Sequence, residues 1–73
     1  MSVFERVQAI IVKELAVDES LVVEQAMLVD DLDADSLNKF SILATIEEEF
    51  GTALDYEKSM EAETVGDLLK LIE

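Results

Sequence analysis

Helix-start signals at Ser2, Asp35 and Thr64, each followed by apolar residues three and four positions apart, constrain this chain more than any other feature. Ser2-Val3-Phe4-Glu5 has the pattern of a capping box, with serine at the N-cap and glutamate three residues on. Behind it Val3, Phe4, Val7, Ile10, Ile11 and Leu15 form one apolar stripe, which predicts a first helix over residues 3–15. Asp35 is a good N-cap for a second helix over residues 36–50, with Gly51 as its stop. Leu37, Phe40, Leu43, Ile46 and Phe50 are its expected core stripe, with Ile42 on the flank. Thr64-Val65-Gly66-Asp67 resembles a further capping box, and Val65, Leu68, Leu69 and Ile72 complete a last amphipathic helix. Gly66 in its first turn weakens that helix modestly. Leu54, Tyr56 and Met60 allow a short helical turn around residues 57–61.

No stretch alternates with the period of a strand, and nothing repeats. The expected fold is all-α: a small four-helix bundle of three longer helices and one short one, in a single domain spanning residues 1–73. Between the first two helices, residues 16–35 break the helical period. Asp18-Glu19-Ser20 can start a short turn, and Val22, Val23, Ala26, Met27, Leu28 and Leu32 are scattered apolar anchors. A connection this long in a small domain is normally functional or pinned by its own side chains. We read it as a pinned loop leading into Ser36.

Composition excludes several kinds of chemistry. The chain has neither cysteine nor histidine, so disulfides, thiol nucleophiles and the common zinc, copper and haem ligand sets are absent. No catalytic residues and no metal centre are expected. Eighteen acids against five bases leave a net charge of −13. Nucleic-acid binding is disfavoured because its affinity comes from Lys and Arg neutralising phosphates, and anionic membranes repel such a surface. Partners should instead present basic patches. Half the residues are apolar, so the chain is not a disordered acidic tail. No segment has the length of a membrane span or the layout of a signal peptide. The expectation is a monomer in the cytoplasm, with no membrane insertion.

Ser36 is the residue that points to a function. At the first position of the second helix its hydroxyl lies outside the packed stripe, on a rigid element, facing the positive end of the helix dipole. Helix N-termini favour phosphate, so the position suits a serine that carries a phosphodiester. With no histidine to act as base, it does not suit a self-sufficient nucleophile.

The run Asp31-Leu32 before Asp35-Ser36-Leu37, the segment Ile46-Glu47-Glu48-Glu49-Phe50 and the Thr64-Val65-x-Asp67 start of the last helix carry a resemblance. Over essentially its whole length the chain resembles the discrete acyl carrier proteins of bacteria and organelles. The resemblance implies that a phosphopantetheinyl transferase moves 4′-phosphopantetheine from coenzyme A onto the serine matching Ser36. The terminal thiol of that arm then carries acyl intermediates as thioesters to enzymes of fatty-acid, polyketide or related lipid synthesis. It further implies that Asp35 helps to hold magnesium in the transferase complex, that Asp35 and Leu37 flank the attachment point, and that acids of the second helix dock onto basic patches of partner enzymes. Asp35, Lys39, Glu47, Glu48 and Glu49 are the candidate docking residues.

An attached acyl chain needs shelter, because each exposed CH₂ costs roughly 0.8 kcal/mol. The seam between helices is the available place, and Phe40, Leu43, Ala44, Ile46, Leu54, Ala62, Leu68 and Leu69 are expected to border it.

The chain departs from the family pattern in several places. Asp33 stands where the family usually has glycine; aspartate tolerates left-handed backbone, but it adds a charge beside Ser36. Asn38 and Ser41, with Lys39 between them, replace an acidic pair. Phe40 and Ala44 replace a valine and a methionine, and Asp55 replaces a proline. These changes predict a docking face shifted toward Glu47–Glu49 and an altered acyl pocket.

Three rival readings remain. A peptidyl or aminoacyl carrier shares the serine. An acidic helical adaptor explains the charge but gives the serine no role. A calcium loop places Asp31, Asp33 and Asp35 at its first, third and fifth positions, but then has Ser36 where glycine belongs and Ile42 where a bidentate glutamate belongs.

Overall fold

The computed structural model describes residues 1–72, which form four α-helices and one 3₁₀ turn. Helix α1 spans Val3–Leu15, α2 spans Ser36–Phe50, α3 spans Tyr56–Met60 and α4 spans Val65–Ile72, with the 3₁₀ turn at Glu19–Leu21. The all-α four-helix architecture is as the sequence predicts. Helix α1 packs mainly against α2 and α4, and the short α3 leans on α2.

Polar caps fix the helix ends. The Ser2 hydroxyl accepts from the Glu5 N–H at 3.1 Å, and the Glu5 carboxylate accepts from the Ser2 N–H at 3.0 Å. The Ser2 N–H, helped by the Ser2 hydroxyl, holds the Glu5 carboxyl below its ordinary pKa. Helix α2 ends at Gly51, whose φ of 62° is the left-handed conformation that glycine adopts without strain. Helix α3 starts one residue earlier than expected, because the Asp55 carboxylate caps it by accepting from the Lys58 N–H at 3.1 Å.

The core joins Val7, Ile10 and Ile11 of α1 to Ile42, Leu43 and Ile46 of α2 and Val65, Leu68 and Leu69 of α4. The connection between α1 and α2 supplies five more buried residues, Val22, Ala26, Leu28, Leu32 and Ala34. That segment is a pinned loop in the full sense, although Val23 is exposed. The Gln8 side-chain amide donates to the carbonyls of Glu19 and Val22, both at 3.1 Å.

The far end of the loop is clasped to the start of α4 by backbone hydrogen bonds. Leu28 N–H donates to Glu63 C=O at 2.8 Å, Val65 N–H to Ala26 C=O at 3.1 Å and Gly66 N–H to Glu24 C=O at 2.8 Å. An isolated antiparallel bridge pairs Met27 with Thr64.

The core stripe expected on α2 needs correction. Leu37 is 75% exposed and Phe40 52% exposed, whereas Ile42, expected on the flank, is 1% exposed. Helix α2 has apolar residues on two faces, so periodicity alone does not select the inner one. The stripe on α1 and the anchors of the loop select Ile42, Leu43 and Ile46, which leaves Leu37 and Phe40 outside.

Gly66 proves to be a packing residue. A Cβ there would lie 3.1 Å from the Glu24 carbonyl oxygen, against the backbone of the clasp. Gly66→Ala is therefore expected to lower stability by about 1–2 kcal/mol, although alanine is the better helix former by about 1 kcal/mol. Urea unfolding of the two proteins checks the sign.

The same clasp carries a pH dependence. The Asp67 carboxylate accepts from the N–H groups of Glu63 at 3.0 Å and Thr64 at 3.1 Å, while the Thr64 hydroxyl accepts from the Asp67 N–H at 3.1 Å. The two backbone donors, opposed by burial and helped by the Thr64 hydroxyl and Lys70, hold its pKa below the ordinary 3.8. A lowered folded-state pKa gives stability that is present above 3.8 and is lost as pH falls through the folded value. The stability difference between wild type and Asp67→Asn should be constant from pH 7 to 5 and shrink below about pH 4. Urea midpoints of both proteins across that range measure it.

Candidate functional site

Ser36 opens α2 and its side chain is exposed. What leaves it free is the residue before it. The Asp35 carboxylate accepts from the Asn38 N–H at 2.8 Å, and the Asn38 side-chain oxygen accepts from the Asp35 N–H at 3.0 Å. This reciprocal box caps the helix with Asp35, so the serine hydroxyl has no capping duty. A helix start leaves its first N–H groups without intrahelical partners, beside the Ser36 oxygen, and these stabilise an anionic group held there.

The loop delivers Ser36 through a tight turn. Leu32 N–H donates to Met27 C=O at 3.1 Å, Asp33 N–H to Val29 C=O at 3.0 Å and Ala34 N–H to Leu28 C=O at 2.8 Å. The Asp31 carboxylate accepts from the Met27 N–H at 2.7 Å. Asp33 adopts φ 61°, the left-handed conformation that aspartate tolerates. Ala34, an anchor the sequence reading missed, is 2% exposed and plugs the turn into the core immediately before Asp35. A single alanine has no periodic partner, so no pattern signals it.

The remaining candidates fall into separate groups. Leu37 projects into solvent beside Ser36. Lys39 points inward: its ammonium donates to the carbonyls of Met60 at 2.8 Å and Ala62 at 2.9 Å, which ties α2 to the end of α3. Glu47 also has an internal role, its carboxylate accepting from the Leu54 N–H at 2.8 Å. Glu48 and Glu49 are exposed. Three acids at a helix C-terminus oppose the dipole, and α1 supplies the compensating cation. The Arg6 guanidinium donates to the Glu49 carbonyl at 3.2 Å and stacks 4.0 Å above the centre of the Phe50 ring.

Between α2 and α3 lies a cavity of about 190 Å³ lined by Phe40, Leu43, Ala44, Glu47, Leu54, Tyr56 and Ser59. Four of the eight residues expected to border an acyl pocket meet here: Phe40, Leu43, Ala44 and Leu54. Ile46, Ala62, Leu68 and Leu69 are buried in the main core and do not line it. Glu47, Tyr56 and Ser59 were not foreseen on this wall. Ser36, Phe40, Ala44 and Glu47 follow one another at four- and three-residue steps, so one row of α2 runs from the serine to the cavity. Phe40 lies about 6 Å and Ala44 about 12 Å along the axis from Ser36.

A pinned loop, a capped helix with a free serine at its first turn and a cavity farther along that helix define a small helical carrier domain. The family model described as "Phosphopantetheine attachment site" matches residues 5–72. The acyl carrier protein of Thermotoga maritima is 44% identical over 71 residues, covering 97% of this chain and 88% of that protein. The acyl carrier protein of Streptococcus pneumoniae serotype 4 is 45% identical over 73 residues, covering 100% and 95%. The solved acyl carrier protein of Enterococcus faecalis superposes with a TM-score of 0.78 at 32% identity, covering 94% of this chain and 87% of that one. The chain belongs to the acyl carrier protein family; it is a carrier with a phosphopantetheine attachment domain and not an enzyme.

Because the Lys39 ammonium satisfies two carbonyls at the end of α3, Lys39→Met should cost about 1–3 kcal/mol. Lys39→Glu should cost more, since it sets a carboxylate against those oxygens. Thermal unfolding of both variants, with loss of amide protection concentrated in residues 56–62, is the check.

Proposed function

We propose that Ser36 is the attachment point for 4′-phosphopantetheine and that the chain delivers acyl intermediates to enzymes of fatty-acid or related lipid synthesis. One observation carries the reading: Asp35 and Asn38 cap α2 between themselves, so the exposed Ser36 has no capping role and its modification disturbs no side-chain bond among the described residues. When attached, the group supplies a thiol on a flexible arm that holds acyl chains as thioesters. The N–H groups at the start of α2 favour its phosphate, while Asp33 and Asp35 repel it. Their opposition keeps the arm loosely held at its root, as a swinging carrier needs.

Recognition by partners follows from what remains outside. Leu37 offers an apolar contact beside the serine, and Asp35, Glu48 and Glu49 offer negative charge along α2. A phosphopantetheinyl transferase and acyl-transfer enzymes with basic surfaces fit this face. Glu47 and Lys39, with their charged groups held internally, contribute less to docking than their positions in the sequence imply.

Incubation with a phosphopantetheinyl transferase and coenzyme A should add one arm to the wild type and none to Ser36→Ala, read by intact mass. The same variant should unfold within about 0.5 kcal/mol of wild type, because no cap is lost. Asp35→Ala should cost about 1 kcal/mol, because one is. An arm found on Ser36→Ala would exclude the assignment.

A further inference from the structure

Ser59 takes no part, through its side chain, in the caps, the clasp or the attachment site. It lies in α3, is 1% exposed and lines the cavity between α2 and α3. Among the described residues its buried hydroxyl has no hydrogen-bond partner. A serine inside a helix ordinarily relieves this by bonding to the carbonyl four residues back. Here that carbonyl, of Asp55, accepts the Ser59 N–H at 2.9 Å and does not take the hydroxyl. The nearby Glu47 carboxylate is held by the Leu54 N–H. An orphaned buried hydroxyl is costly and uncommon in a native structure.

The rest of the wall is mainly apolar. Phe40, Leu43, Ala44 and Leu54 line it, and the rings of Phe40 and Tyr56 meet edge-on with centroids 6.1 Å apart at 63°. Both rings are more than half exposed, so they form the outer side of the cavity, while Ser59 lies on its buried side. By volume the space is slightly larger than a cavity of about 150 Å³ that takes benzene, which corresponds to a chain of roughly six to eight carbons.

We propose that this cavity selects acyl chains bearing a hydroxyl or keto oxygen, and that the Ser59 hydroxyl is the group that recognises that oxygen. A saturated chain fills the apolar wall but leaves the Ser59 hydroxyl unpaired. A chain with an oxygen at the right depth fills the same wall and pairs it. The difference between the two cargoes is one buried hydrogen bond, formed at a hydroxyl already removed from water. The inference rests on the reading of Ser36 as the attachment point, since the chain enters the cavity from an arm at the head of the same helix row.

The test loads wild type and Ser59→Ala with octanoyl, 3-hydroxyoctanoyl, 5-hydroxyoctanoyl and 7-hydroxyoctanoyl groups from the corresponding coenzyme A thioesters, loading being verified by intact mass. Thioester cleavage by hydroxylamine then reports how far each chain is sheltered. In the wild type at least one hydroxyoctanoyl chain should be cleaved about threefold to tenfold more slowly than octanoyl, and Ser59→Ala should remove that advantage. Octanoyl sheltered as well as all three hydroxylated chains, or an advantage that survives Ser59→Ala, overturns the proposal. Unloaded Ser59→Ala provides a second readout. Its melting temperature should equal or exceed that of wild type, because the substitution deletes an unpaired hydroxyl, and a clear decrease would show the hydroxyl to be already satisfied and defeat the inference. Failure of any chain to load onto Ser36 would instead strike the attachment assignment, and the melting comparison would still judge Ser59.

Discussion

The architecture depends on a short backbone clasp between the loop at residues 24–28 and the start of α4 at residues 63–66. Buried side chains anchor this twenty-residue connection at points along its length. Ordering each residue still costs on the order of 1–2 kcal/mol of backbone entropy, and the backbone bonds of the clasp help to offset it. The Glu24, Ala26 and Leu28 backbones pair with Gly66, Val65 and Glu63. Each pairing satisfies a polar group that would otherwise meet the core unpartnered. With that end fixed, Leu28 and Leu32 point inward, the turn through Asp33 closes, and Ala34 sets the register at which α2 begins. The exposure of Ser36 is thus a consequence of contacts made some thirty residues later in the chain.

Charge organises the surface by what it withholds. Of five cations, Arg6 is turned to the carbonyl of Glu49 and Lys39 to those of Met60 and Ala62. Both stabilise helix C-termini, where the dipole welcomes a positive group. Using two cations internally leaves the outer face of α2 acidic. A negative face steers encounters with basic partners without strong short-range contacts, which suits a protein that must leave each enzyme after one transfer.

The helix ends were legible because they are written in local chemistry: Ser2 with Glu5, Asp35 before Ser36, Gly51 after Phe50, Thr64 with Asp67. Each is a bond between residues close in sequence, and the structure contains all of them. The inner face of α2 was legible only in part: Leu43 and Ile46 are buried as expected, but Leu37 and Phe40 mimic a core stripe while Ile42, expected on the flank, joins the real one. That choice belongs to tertiary packing. Gly66 reads as a weakness until the Glu24 carbonyl is seen against it. Lys39 reads as a surface charge until α3 is placed beneath it. Within the candidate site, Ser36 and Asp35 were legible from position, whereas Ser59 carries no sequence signal, since its interest lies in a hydrogen bond that is not made.

The cavity exists because one of its walls is weak by itself. Five residues are too few to form a helix alone, the cost of nucleation exceeding what so few internal bonds return. Helix α3 is held from outside, by the Asp55 cap, by the Lys39 ammonium on its last carbonyls and by Glu47 on the turn that precedes it. Such an element opens locally at a small fraction of the cost of unfolding the bundle. Helices α1 and α4 with the clasped loop hold Ser36 in place by contacts in which α3 takes no part. The serine and the cavity wall are therefore held by different sets of contacts. The row from Ser36 through Phe40 to Ala44 joins them, so that a chain held at Ser36, as proposed above, would be led along α2 toward the wall that α3 supplies.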